Sequence, residues 1–264
     1  MGYWDEFEYD QTLSVLVHAH SKVGKTWFGG TAPAPRLILD AEGGTKWLPV
    51  HRTVWDPRMG PPPTPDGTWD TCIVYVRDVR DVELTYQWLL AGQHQFRSIV
   101  LDSISEIQKR AKDSIVGLGD MRTQDWGTIL TQMEALIRNI RDLTLHPIRP
   151  VQAVVLIAFT RERDGRHSPY VQGALAITMP YFLDVIGYLY PQPLEDGTII
   201  RRMLVGPDPQ FEAGERVGGR LGRVIDNPNM ESMLYTVYGL QPAAPQVAPA
   251  GGLYTPQNTI DSTT

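Results

Sequence analysis

The chain has 264 residues, 42% of them hydrophobic, and a formal net charge of −6. That apolar content suffices for a sizeable core and excludes a wholly disordered chain. The acidic balance excludes a protein that coats duplex DNA with a uniformly basic surface, while leaving room for cations gathered in one channel.

No run approaches the roughly 18 apolar residues that a membrane helix needs. The opening MGYWDEFEYD is acidic and has no apolar stretch, so no signal peptide is expected. Cys72 is the only cysteine, which rules out an internal disulfide and fits a reducing cytoplasm.

Residues 13–17 form a short apolar run, followed by a loop and then Gly-Lys-Thr, which predicts strand, loop, helix. Residues 36–40 (RLILD) predict a second buried strand. Four prolines between Pro61 and Pro65 make residues 56–70 an expected exposed loop. Residues 71–76 predict a third strand, with Cys72 packed as a small hydrophobe. An amphipathic helix is expected over 79–90, then a fourth strand over 98–101 (SIVL) running into Asp102, and a helix from Ser105.

Residues 125–143 carry apolar side chains at Trp126, Ile129, Leu130, Met133, Leu136, Ile137, Ile140 and Leu143, a helical repeat close to 3.6. Pro147 and Pro150 follow its end. Residues 151–159 predict a fifth strand, apolar almost throughout, as in the buried middle of a parallel sheet. Strands alternating with helices imply a mostly parallel central sheet flanked by helices, with right-handed crossovers. Beyond it, 184–190 and 198–205 flank a Glu-Asp-Gly turn and predict a C-terminal antiparallel hairpin. Residues 216–223 are rich in Gly and Arg, and 231–238 predict a short helix or strand. The expected organisation is one α/β core over residues 1–240 and a disordered tail over 241–264.

The segment Ala19-His20-Ser21-Lys22-Val23-Gly24-Lys25-Thr26 is a Walker A motif with Ala19 in place of the first glycine. Backbone N–H groups of such a loop wrap a phosphate, and the helix that follows, with Trp27 in its first turn, adds its positive end. Lys25 is placed to reach the β- and γ-phosphates of ATP, and the Thr26 hydroxyl to bind Mg²⁺. Alanine replaces the first glycine wherever φ stays negative. Asp102, ending a buried strand, has the Walker B arrangement, which holds Mg²⁺ through water. Glu42 follows the strand over 36–40 and is placed to polarise an attacking water. A plain role for Asp40 and Glu42 as polar strand-end residues stays open. His18 and His20 have the H-x-H spacing of metal ligands, but without a Cys or carboxylate partner nearby they point to loop packing or adenine contact.

In order and spacing, LILDAEGG, SIVLDSISEI, the long helix and VVLIAF resemble the ATPase core of the RecA recombinases. The likeness is closer to the small phage RecA-like proteins of the Sak type, which act in single-strand annealing and recombination and also go by the description of phage AAA-type nucleotide-binding proteins. It runs from Leu13 to Tyr238, narrowed by Asp-Ala-Glu, Asp-Ser and PYVQGALAITMPYFLDVIGYLYP. The resemblance implies a RecA-like P-loop NTPase core with ATP and Mg²⁺, Glu42 as catalytic glutamate and Asp102 as Walker B aspartate. It places a first DNA-facing loop at 112–124, with Arg122, and a second at 161–173. There Arg161, Arg163 and Arg166 would neutralise phosphates and Tyr170 would stack on a base. A solvated loop half neutralised by Glu162 and Asp164 is the alternative.

Arg216 first, Arg220 second and Arg223 lie where that family carries basic residues that reach a neighbouring subunit's γ-phosphate, with a generic basic turn as the alternative. Thr160-Arg161 stands where RecA members carry a polar sensor, often Gln. With no match to RecA's separate terminal domains, contacts between copies are expected in the core or at Tyr3, Trp4 and Phe7. The resemblance therefore implies an ATP-dependent phage recombination or annealing protein that binds single-stranded DNA. It would hydrolyse ATP at subunit interfaces of a homo-oligomeric filament or ring in the host bacterial cytoplasm. The alternatives are a P-loop NTPase with another task (helicase loader, packaging motor, small-molecule kinase) and an ATP-gated module that binds a single-strand-binding protein.

Overall fold

Strands that are apolar on both faces need cover on both faces, and that requirement shapes this chain. The computed structural model describes residues 11–116, 123–173 and 175–240. The central strands are β1 (Leu13–Ala19), β2 (Arg36–Asp40), β3 (Arg52–Val54), β4 (Thr71–Tyr75), β5 (Ser98–Asp102), β6 (Ala153–Arg163) and β8 (Val185–Pro193). Val15 and Val17 of β1, Val100 of β5 and Val155 and Ile157 of β6 point into one core. Their neighbours Leu16, Ile99, Leu101, Val154 and Leu156 point into the other.

Helices α2 (Val79–Leu90), α3 (Ile104–Val116) and α4 (Thr123–Asp142) cover the second face, burying Val82, Leu89, Ile107, Met133, Ile137 and Ile140. The first face is closed by α1 (Lys25–Gly29) and α6 (Met230–Tyr238), through Phe28, Met230, Met233, Leu234 and Val237. Asp78 caps α2 by accepting from the Arg80 N–H, and Asn229 caps α6 by accepting from the Ser232 N–H. Gly239 ends α6 at φ 66, in the left-handed region where glycine carries no steric penalty.

Together with β9 (Ile199–Leu204) and β11 (Val224–Asp226), the strand order is β11-β9-β8-β1-β6-β5-β2-β4-β3. β1 runs parallel to β6 and β8, β5 parallel to β6 and β2, and β4 parallel to β2 and β3. β9 and β11 add antiparallel at the β8 edge. The short strands β7 (Arg166–Pro169) and β10 (Gly214–Glu215) pair with β6 and β8. One strand, β6, thus lies between the strand that carries the phosphate loop and the strand that ends in Asp102.

The expected strand 36–40 and helix 79–90 coincide with β2 and α2, and residues 231–238 resolve into a helix. Two expectations need correction. Residues 161–173 were to be a loop, but β6 continues to Arg163 and pairs with β7 as an antiparallel hairpin. Of the loop expected over 112–124, residues 112–116 belong to α3 and 123–124 to α4, while 117–122 lie outside the described residues. Arg122 lies outside the described residues, as do Tyr3, Trp4, Phe7 and residues 241–264. Among the described residues no helix is long and apolar enough to cross a membrane.

Candidate functional site

β1 delivers the chain to the phosphate loop. Ala19 is its last residue, fully buried and paired with Phe159 of β6. Among described non-glycine residues only Lys22, Asp164 and Asn227 have positive φ, so Ala19 meets the condition under which alanine replaces glycine. The loop then turns through Lys22 at φ 64 and Gly24 at φ 110, leaving His20, Ser21 and Lys22 exposed. The first helical bond runs from the Phe28 N–H to the Gly24 carbonyl at 3.0 Å, so the N–H groups of Lys25, Thr26 and Trp27 lie outside the helical ladder. α1 has only 5 residues, so these local N–H groups, rather than a long helix dipole, face an anion.

Lys25 is 7% exposed, and its Nζ donates to the carbonyls of His20 at 2.9 Å and Ala19 at 3.2 Å. Burial lowers its pKa, opposed by the negative charges of Glu42 and Asp102. The Thr26 hydroxyl donates to Asp102 Oδ2 at 2.6 Å. Burial pushes the Asp102 carboxyl up to about 7, assisted by Glu42 and Asp40 and opposed by the Thr26 hydrogen bond.

Asp40 and Glu42 have separate tasks. Asp40 is buried, and its Oδ1 accepts from the N–H groups of Glu42, Gly43 and Gly44 at 3.0, 2.7 and 3.3 Å. Its Oδ2 accepts from the Thr45 N–H at 3.0 Å and hydroxyl at 2.5 Å. It therefore folds the turn that carries Glu42, while the Glu42 side chain stays exposed beside Lys25 and Asp102. At Gly44 a Cβ would stand 3.1 Å from Thr26 Oγ1, so the glycine lets this turn close on the Thr26 hydroxyl.

These donors fit a nucleotide with Mg²⁺. A hydroxyl and a carboxylate already meet, an ammonium is held inside the loop by carbonyls, and a second carboxylate lies alongside. A family model described as an AAA domain, AAA_24, matches residues 11–217, most of the chain. The chain belongs to this AAA domain family.

Among solved structures the AAA domain is similar to an ATPase from the type III secretion system of pathogenic bacteria, at 14% identity and a TM-score of 0.42. The match covers 67% of this chain and 52% of that one, so this chain spans about half of that protein's length. No curated protein matches in sequence. The fold is that of a P-loop NTPase.

The sequence reading missed Arg201. On β9, its Nε donates to the Val23 carbonyl at 3.0 Å, and its guanidinium lies 5.7 Å from the Trp27 ring centre. A Cβ on Gly24 would fall 2.4 Å from Arg201 Nε, so this cation rests on the Walker backbone itself. Asn227 and Pro228 complete a small cleft there with Gly24 and Trp27.

His18 packs the loop. Its Nε2 lies 2.8 Å from the Glu212 carbonyl, which only accepts, so Nε2 carries the proton and Nδ1 accepts from Thr160 Oγ1 at 2.8 Å. Burial drops the His18 pKa to about 4, keeping the ring neutral. The His20 ring stands edge-on to His167 at 5.7 Å.

The β6–β7 hairpin of the AAA domain starts at the same corner. Phe159 lies with its ring centre 5.5 Å from Lys25 Nζ. Its N–H donates to Ser105 Oγ at 3.0 Å, and that hydroxyl donates to the Tyr170 carbonyl at 2.7 Å, tying the hairpin base to the start of α3 beside Asp102. In the hairpin register Arg163 faces Arg166 and Arg161 faces Ser168, so the three arginines share one face, while Glu162 pairs with His167 on the other. Asp164 lies 3.5 Å from Arg163, but at 91% and 80% exposure that pair is worth little. Tyr170 is 42% exposed.

Arg216 reaches Asp184 at 2.9 Å and the Tyr181 carbonyl at 3.2 Å. Asp184 also binds Ser14, at the end of β1 away from the phosphate loop. Arg220 donates to the Val237 carbonyl at 2.7 Å, and Arg223 meets Asp208 at 3.0 Å. The structure therefore does not bring these three to their own chain's Lys25 corner.

Proposed function

We propose that this chain hydrolyses ATP and binds single-stranded DNA in phage recombination or annealing, assembling into a filament or ring. The observation that carries the reading is β6. It lies between the strands of the phosphate loop and Asp102, touches Lys25 through Phe159, and continues into the hairpin that gathers Arg161, Arg163 and Arg166 on one face.

Thr26 and Asp102 would hold Mg²⁺, which supplies charge neutralisation at the phosphates when bound. Lys25 stabilises charge on the phosphoryl oxygens, and the exposed carboxylate of Glu42 takes a proton from the attacking water. The three arginines neutralise DNA phosphates and Tyr170 offers a stacking face for a base. Membership of a homo-oligomer, with Arg216 or Arg220 acting on a neighbour's nucleotide, rests on the resemblance to RecA-like phage proteins. A single-strand-binding protein as partner rests on the same ground.

Fluorescence anisotropy with a labelled oligonucleotide tests the DNA half of this reading. Each lost phosphate contact should reduce the salt slope by about 0.7 on single strands. Arg163→Ala is expected to weaken binding and flatten that slope by about this amount. No binding by wild type at low salt would overturn the DNA reading while leaving the ATP site standing.

A further inference from the structure

Arg201 has no part in the hydrolysis proposed for Lys25, Glu42 and Asp102, yet it lies on the phosphate loop. It stands beside Arg202 on β9, and the two differ in partner. Arg202 pairs with Asp226, Nε to Oδ1 at 2.7 Å. Among the described residues the Arg201 side chain makes no ion pair and one hydrogen bond, from Nε to the Val23 carbonyl at 3.0 Å. The terminal amino groups of its guanidinium therefore keep their donors open.

An exposed arginine without a carboxylate is ordinary, but an exposed side chain that gives up its freedom to lie on a backbone is not. A Cβ on Gly24 would fall 2.4 Å from Arg201 Nε and 3.0 Å from its Cδ, so the side chain runs across that glycine. Its guanidinium then ends 5.7 Å from the ring centre of Trp27, which is 45% exposed. Asn227 fixes the position of β9 here, its Oδ1 accepting from the Arg201 backbone N–H at 3.3 Å, and lines the cleft with Pro228.

Strand order decides which end of a nucleotide reaches this corner. Asp102 ends β5 and Glu42 follows β2, both on one side of β1. Arg201 stands on the other side, on β9 beyond β8. Mg²⁺ and the attacking water belong with the γ-phosphate, at the Asp102 side. A triphosphate laid over the loop then directs its α-phosphate and nucleoside towards β8 and β9.

We propose that Arg201 and Trp27 hold the nucleoside end of the triphosphate bound at Lys25. The open guanidinium donors grip the α-phosphate, a planar fork against an oxyanion. The exposed Trp27 ring gives the base an apolar face. The inference rests on the ATP reading of the site and adds to it a preference for a nucleotide over a bare polyphosphate.

Calorimetric binding of three ligands with Mg²⁺ tests this: pyrophosphate, tripolyphosphate and ATP. Pyrophosphate fills the β and γ places, tripolyphosphate adds the α place, and ATP adds the nucleoside. Arg201→Gln should weaken ATP and tripolyphosphate about tenfold, the worth of a charge-assisted hydrogen bond, and leave pyrophosphate unchanged. Arg201→Lys, which keeps the charge, should recover part of that loss. Trp27→Ala should weaken ATP alone, by about fivefold or more. Circular dichroism checks that each variant folds, and Trp27→Leu, which keeps the bulk, serves where Trp27→Ala does not. Equal loss for all three ligands in Arg201→Gln would make Arg201 a strut for the loop and overturn the proposal. ATP affinity unchanged in either folded variant would overturn it while leaving the ATP site standing. Wild type that binds none of the three would overturn the ATP reading, and this inference with it.

Discussion

Asp102 shows what the nucleotide site costs in stability. Its carboxyl titrates at about 7 in the fold, against about 3.9 in an unfolded chain. Between those values the folded state holds a proton that the unfolded state has lost, so stability falls as pH rises, by about 4 kcal/mol in full. Asp102→Asn removes this titration. The variant should melt higher than wild type at pH 7–8, the gap should shrink towards pH 4, and Mg²⁺-dependent hydrolysis should vanish; melting curves across pH check the first two. Asp40 and Glu42 make a sharper contrast. Asp40→Ala strands the buried N–H and hydroxyl of Thr45 and removes the acceptor that shapes the turn, and should lower stability by about 1–3 kcal/mol. Glu42→Gln should leave the melting temperature unchanged and still bind ATP, but hydrolyse it about 10²–10³ times more slowly. Lys25, Thr26, Asp102 and Glu42 were legible because the motif is local or ends a recognisable strand. Arg201 was not, because it reaches Val23 across 178 residues and only the β8–β9 hairpin brings them together.

At the scale of elements, long periodic segments read well and short edge strands did not. β2 and α2 declared themselves through an unbroken apolar run and a 3.6 repeat. β3 and β11 have 3 residues each and β10 has 2, too few to show any period. The β6–β7 hairpin is different, since its signal was present. Asp164 and Gly165 both take positive φ at the tip, 53 and 74, the Asp-Gly pattern of a type I′ turn. The charged residues on either side read as a solvated loop and hid it. Gly165→Val puts a β-branched residue at a left-handed position, at a cost of about 1–2 kcal/mol. It should disorder the hairpin, reduce single-stranded DNA affinity, and leave ATP affinity at the Lys25 corner intact. Anisotropy and nucleotide titration on the same preparation check both halves.

At the scale of the molecule, the sheet works as a frame. Parallel strands bring Lys25, Asp102, Glu42 and the hairpin to one end. The net charge of −6 does not by itself exclude the proposed DNA contact, because strand register places the three hairpin arginines on one face, opposite Glu162, although the charge of Glu212 reaches Arg166 and Arg161. Sequence composition alone could not show this, because segregation depends on strand register. On the proposed reading the link between nucleotide and DNA would be mechanical, along the contacts from Phe159 at Lys25 and Ser105 beside Asp102 to Tyr170 and the strand that carries Arg161. Steady-state ATP hydrolysis with and without single-stranded DNA tests that link most directly. Wild type should turn over faster with the oligonucleotide, whereas a variant with Arg161, Arg163 and Arg166 changed to Ala should keep its basal rate and lose the stimulation. A wild-type rate that is the same in both conditions, at DNA concentrations that saturate binding, would contradict the account.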